Sequence, residues 1–201
     1  MKYTFLTLVF ILSFSSSYSQ TAEAYIKRGQ DRTATNDLRG AIADFNKAIE
    51  LDSNSLEAYI GRGIARYGLY GYPEAVADFT KAIEIDPTNA GAYYERGFVK
   101  TLLKDHRGAI PDFTKAIEID PTNAGAYLRR GLAKATLKDQ RGAIADCTKA
   151  IEIDPTNAEA YCVRGIGKIA LGEKDSGCLD FSKAGELGFA SAYNYISMFC
   201  E

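Results

Sequence analysis

Apolar residues recur along this chain at steps of three and four. Within residues 90–123, Ala109, Phe113, Ala116 and Ile117 fall on one face of a helix, while Lys115 and Glu118 fall on the other. The stretch from Tyr93 through Gly97 shows the same period. Two amphipathic helices with a short polar connection predict a helical hairpin. Pro121 ends the second helix, because proline has no amide hydrogen and pushes the preceding Asp120 out of the helical region. Asn123 then serves as the N-cap of the next helix.

The pattern repeats. KAIEIDPTNAGAY stands at 81–93 and again at 115–127, with KAIEIDPTNAEAY at 149–161 and the looser KAIELDSNSLEAY at 47–59. A fixed period of this length marks a repeat architecture. Cutting at that period gives units 22–55, 56–89, 90–123, 124–157 and 158–191. Each has Tyr at its fourth place (Tyr25, Tyr59, Tyr93, Tyr127, Tyr161) and Gly at its eighth (Gly29, Gly63, Gly97, Gly131, Gly165). Place 20 is Ala until Gly177, place 24 is Phe except for Cys147, and place 27 is always Ala. Glycine inside a helix costs about 1 kcal/mol relative to alanine. Its recurrence at place 8 therefore calls for close helix packing, with small residues where the two helices approach and aromatic rings in the wider gaps.

These places resemble the tetratricopeptide repeat family, which carries an aromatic at place 4, Gly or Ala at 8, Ala at 20, an aromatic at 24, Ala at 27 and Pro at 32. Pro87, Pro121 and Pro155 fill the last place, whereas units 1 and 5 have Ser53 and Phe189. The resemblance implies an all-α fold, a right-handed α-solenoid of five helix-turn-helix hairpins at 22–55, 56–89, 90–123, 124–157 and 158–191. A C-terminal capping helix at 192–201 would close it.

The family also implies a concave groove lined by the first helices, which holds a peptide or a partner's helix. Carried onto this chain, the groove places are Ile26, Gln30, Ile60, Ile64, Tyr67, Tyr94, Phe98, Thr101, Leu128, Leu132 and Ile166, with Cys162 beside them. Family members that hold a C-terminal carboxylate use Lys, Arg and Asn at such places, and this chain lacks that set. Its groove is apolar and rimmed by Glu23, Glu57 and Glu159, which suits an amphipathic or extended hydrophobic segment. The reading that follows is a protein-binding scaffold or adaptor, and the alternative is a structural subunit that uses the same surface, or the array's end, for self-association or assembly of an envelope complex.

Two departures from the commonest family pattern are systematic. Place 7 is Arg in every unit (Arg28, Arg62, Arg96, Arg130, Arg164), and place 11 is Arg32, Arg66, Lys100, Lys134 or Lys168. Place 23 is Asp throughout (Asp44, Asp78, Asp112, Asp146, Asp180). The matched period predicts a ladder of Arg to Asp pairs between helices rather than an anion-binding stripe. Pro111 interrupts the second helix of unit 3, where a lost hydrogen bond and a small kink are expected.

Charge changes the picture by exclusion. The formal net charge is −2, with 24 basic and 26 acidic residues interspersed, so no basic stripe points to nucleic acid. At the N-terminus, Lys2 precedes an apolar run from Phe5 to Phe14 and then Ser17-Tyr18-Ser19. That is the form of a secretory signal, expected at 1–19 with cleavage near Ser19. The run is roughly half the 20 apolar residues that a membrane span needs. The mature protein is thus expected to be periplasmic or secreted, with no membrane insertion.

Export permits disulfides among the four cysteines. Cys178 and Cys200 form the best candidate pair, since Cys178 stands where other units place a packed Ile and SAYNYISMFCE resembles one more first helix. Cys147 replaces a core Phe and is expected as a buried free thiol. The cysteine spacings contain no CxxC, so no metal site is expected, and no phosphate-cradling glycine loop points to a cofactor. The single histidine, His106, reads as a solvated turn residue. Nothing in the sequence assembles a catalytic group, so no enzyme is expected.

Overall fold

The computed structural model describes residues 21–201, and the leader expected at 1–19 lies outside them. Among the described residues there are eleven helices and no strand: α1 (Ala22–Ala34), α2 (Leu38–Leu51), α3 (Leu56–Gly68), α4 (Tyr72–Ile85), α5 (Ala90–Leu102), α6 (His106–Ile119), α7 (Ala124–Thr136), α8 (Gln140–Ile153), α9 (Ala158–Ala170), α10 (Lys174–Glu186) and α11 (Ala192–Phe199). The fold is an all-α helical repeat. The chain divides after Pro87 into two compact units. The first holds the hairpins α1–α2 and α3–α4; the second holds α5–α6, α7–α8, α9–α10 and the final helix α11.

Helix boundaries follow from capping chemistry repeated at the period. Asn89, Asn123 and Asn157 accept from the amides of Ala92, Ala126 and Ala160 at 2.8, 2.9 and 3.0 Å. Asp37, Asp105 and Asp139 do the same for the second helices, toward Gly40, Gly108 and Gly142. Each such bond satisfies a donor that the first helical turn leaves without a partner. At the joint, Asp120 and Asp154 are extended, with φ −125° and −127°. Asp52 adopts nearly the same conformation, φ −137°, although Ser53 and not proline follows it. Packing of the next hairpin therefore sets this joint, and proline reinforces it.

Between the helices of a hairpin one residue takes a left-handed conformation: Asn36, Tyr70, Lys104, Lys138 and Gly172, with φ from 62° to 84°. Only glycine does so without steric cost. Tyr70 does so while 79% exposed.

The core is a row of fully buried place-24 residues: Phe45 and Phe79 in the first unit; Phe113, Cys147 and Phe181 in the second. The place-8 glycines answer these rings. A Cβ on Gly63 would sit 2.8 Å from Phe79, and one on Gly165 would sit 2.8 Å from Phe181. The glycine thus makes room chiefly for the aromatic of its own hairpin, and less for the alanine at place 20. Pro111 sits exposed within α6, which continues through it to Ile119.

Cys178 and Cys200 are joined in a disulfide across 22 residues, tying α11 to α10, while Cys147 and Cys162 are free and buried. In α11, Tyr195 stacks on Phe181 at 5.2 Å and Phe199 lies 6.4 Å from the same ring. No helix among the described residues is long and apolar enough to cross a membrane.

Candidate binding surface and the ion-pair ladder behind it

Every hairpin contains the same charged node. Arg62 reaches Asp78 at 2.7 Å, Arg96 reaches Asp112 at 2.6 Å, Arg130 reaches Asp146 at 2.7 Å and Arg164 reaches Asp180 at 2.6 Å; Arg28 pairs with Asp44 in the same way. The second oxygen of each carboxylate takes the place-11 cation: Arg32, Arg66, Lys100, Lys134 and Lys168 lie 2.7 to 2.8 Å away. The aspartates are buried and each is held by two cations, the condition under which a buried charge is tolerable. Hydrogen bonding to Asp180 holds the Arg164 guanidinium above its ordinary range.

The arginine side does more than pair. Its guanidinium lies over the place-4 tyrosine of its own helix, 4.9 to 5.7 Å from the ring centre. Its free nitrogen reaches back to the preceding hairpin: Arg62 donates to Asn46 at 2.7 Å, and Arg130 donates to Thr114 at 3.1 Å. Arg62, Arg130 and Arg164 therefore fasten their own hairpin internally and to its predecessor within the same unit. The cations are spent on architecture, and the expected groove residues occupy the other side of the first helices.

On that side of the first unit, Gln30, Ile60 and Ile64 meet around a hollow of about 400 Å³, with Thr33, Ala34, Glu57 and Gly61 in its walls and the sealed Phe45 at its base. Ile64 is 39% exposed. Gly61 is the residue that sequence reasoning passed over. It holds place 6, which reads Lys27, Glu95, Arg129 and Val163 in the other repeats. A Cβ there would fall 2.3 Å from the Phe45 ring, so α3 approaches the core closely and no side chain fills the hollow. A glycine away from the signature places was the available signal. Ile26 packs against the Phe45 cluster and opens onto a second, more polar hollow of about 630 Å³. Tyr67 instead turns toward the hairpin connection, 6.2 Å from Tyr72.

In the second unit, Tyr94 meets Phe113 edge-on at 5.9 Å, and Phe98 lies under the Arg129 guanidinium at 5.6 Å. Thr101 and Leu132 line a hollow of about 210 Å³ together with Arg129, Thr136 and His106. His106 is thus not a solvated turn residue; it begins α6 and is half-buried in this wall. Of the three expected rim acids, Glu23 and Glu57 are exposed, and Glu159 is half-buried and paired with Arg129 at 3.5 Å.

Two expected groove positions are buried and a third is half-buried. Leu128 is 4% exposed and belongs to the core with Cys147, Ala150 and Val163. The thiol at place 24 is smaller than the phenylalanine of other repeats, and Leu128 and Val163 draw inward to fill the difference. Cys162, 3% exposed, and the half-buried Ile166 pack in one cluster with residues of α11.

Neither free thiol is activated. Burial pushes Cys147 up to about 12 and Cys162 up to about 11, the opposite of what a nucleophile requires. Among the described residues no group of three or more His, Cys, Asp or Glu side chains could hold a metal ion.

Known proteins agree with this architecture. A tetratricopeptide repeat model matches residues 22–55, 90–123 and 124–157, and a TPR repeat model matches 72–103. No curated protein matches the sequence. Among solved structures, a MamA protein is 26% identical with a TM-score of 0.78, covering 86% of this chain and 94% of its own. MamA from Desulfovibrio magneticus RS-1 is 24% identical with a TM-score of 0.78, covering 84% and 96%. YrrB, described as a TPR protein with an unusual peptide-binding site, is 24% identical with a TM-score of 0.80, covering 92% and 97%. With the period, the signature places and the matched spans in agreement, this chain belongs to the tetratricopeptide repeat family.

Proposed function

We propose that this protein is an exported, non-catalytic binding module that holds a segment of a partner protein on the first-helix side of its repeats. The observation that carries the reading is the apolar hollow of the first unit, where the half-buried Ile60 and the exposed Ile64 stand beside Gln30. A concave apolar hollow with a few polar groups in its wall is the usual form of a binding site. The leader expected at 1–19 supports action outside the cytoplasm.

Retention of partners from a cell-envelope extract by the wild-type protein, by Ile60→Ser plus Ile64→Ser, and by Tyr94→Ala plus Phe98→Ala tests this reading. A partner retained by the wild type and lost by either pair supports it. Identical retention by all three proteins overturns it.

Self-association is the second reading, and a different surface favours it. Leu179, Tyr193 and Met198, on the last two helices, are 71%, 60% and 69% exposed. Sedimentation separates the two: a monomer at all concentrations removes the second reading, and a dimer dispersed by Met198→Ser supports it.

A further inference from the structure

The two hollows of the first unit share Gln30 and Glu57 in their walls, so they lie side by side. The polar chamber carries Glu23, Asp31, Asp52 and Glu57 against a single ammonium, Lys27. Elsewhere in this unit, Asp37, Asp44, Glu50, Asp78 and Glu84 each lie within 4 Å of an arginine or lysine. Among the described residues, none of the four chamber carboxylates forms such a pair. Glu74 is a further acid of this unit outside such a pair, but four acids without one share the lining of a single hollow beside the chamber that Gly61 keeps unfilled. The second unit's hollow has the opposite character, with Arg129 and His106 in its wall.

We infer that the first unit takes an extended segment that seats an aliphatic side chain between Ile60 and Ile64 and places a lysine or arginine beside it, against Glu57 and Asp31. This deepens the binding-module reading and rests on it. The apolar chamber lies within the roughly 300 to 1,000 Å³ of typical ligand pockets, and burial of the aliphatic group supplies affinity. The carboxylates supply selection: they favour a basic flank and disfavour an acidic one. An acidic segment would meet repulsion from them, and a hydrophobic segment without charge would leave the four acids unanswered.

Three fluorescein-labelled peptides, Gly-Ser-Lys-Leu-Leu-Lys-Gly-Ser, its Gly-flanked counterpart and its Glu-flanked counterpart, test this by anisotropy against the purified protein. The basic peptide is expected to bind about ten-fold tighter than the neutral one at low salt, with the acidic peptide weakest. Its advantage should shrink to about two-fold at 1 M salt, where the screening length is about 3 Å. Glu57→Gln plus Asp31→Asn, both exposed, should remove the advantage of the basic peptide over the neutral one. Ile64→Ser should weaken all three. Equal binding of basic and acidic peptides, or a basic advantage that survives the double substitution, overturns the inference. If the neutral peptide still binds and Ile64→Ser weakens it, the binding-module reading stands without the charge selection. If no peptide binds, the inference fails, and the retention experiment judges the broader reading separately.

Discussion

At the scale of single residues, two joints of the core show complementary size across neighbouring hairpins. There place 24 of one repeat packs beneath place 6 of the next: Phe45 lies against Gly61, and Cys147 shares a cluster with Val163. A ring meets no side chain, and a thiol meets a branched one. Cys147→Phe would restore the family's aromatic into space already taken by Val163 and Leu128, and overpacking of this kind costs about 1 to 3 kcal/mol. Combining it with Val163→Ala should recover most of that loss, a coupling that urea unfolding of the two single variants and the double variant would measure. Simple additivity would show that the two sites do not share space. Burial also makes Cys147 chemically quiet. With its thiol pushed up to about 12, the reactive thiolate is scarce at pH 8 and grows only as pH rises toward that value. Disulfide-exchange reagent should therefore label the native protein no faster than it opens.

At the scale of the element, the Arg–Asp–cation node explains why two helices that meet at glycine and alanine remain in register. Its depth varies along the chain. The Arg28 side chain is 51% exposed and that of Arg130 is 15% exposed, although both aspartates are buried. Among the described residues no hairpin precedes that of Arg28, whereas Arg130 also binds Thr114 on α6. Arg130→Ala leaves Asp146 buried with Lys134 as its one remaining cation, and breaking a buried pair costs about 3 kcal/mol or more when nothing replaces it. With Lys134 in place, a loss of about 1 to 3 kcal/mol is expected, and Arg28→Ala should cost several-fold less. Chemical denaturation of both variants decides it, and equal losses would remove the role assigned to burial. The pairing itself was legible in the sequence, because Arg and Asp recur in phase at fixed places. The contact to Thr114 was not, since it depends on how one hairpin lies on the next. The same distinction explains the groove. Helical period put Leu128 and Ile166 at expected groove places, but exposure depends on what packs over them: Leu128 is buried in a cluster with Cys147, and Ile166 is half-buried against the cluster that α11 joins.

Across the whole molecule, stability in a repeat array is close to a sum over repeats and their contacts with neighbours, so an end repeat lacking a neighbour is the weak point. This chain answers at its C-terminal end with α11, which packs in one cluster with Phe181, Cys162 and Ile166 and is tied down by the Cys178–Cys200 bond. The helix has only eight residues, too few to persist by its own hydrogen bonds in water. Its order must come from the aromatic stack and the tether. Closing a loop with a separation of 22 residues contributes about 3 kcal/mol on the chain-entropy estimate. Reduction, or Cys178→Ser plus Cys200→Ser, should therefore release α11 and expose the last hairpin without disturbing the first unit. Hydrogen exchange followed by mass spectrometry is expected to show faster exchange in α9, α10 and α11, with α1 to α4 unchanged. A thiol titration of the unfolded, unreduced protein should count two groups, Cys147 and Cys162. Four groups would show that the tether is not formed, and uniform acceleration of exchange along the chain would show that it stabilises the array as one cooperative body rather than its end.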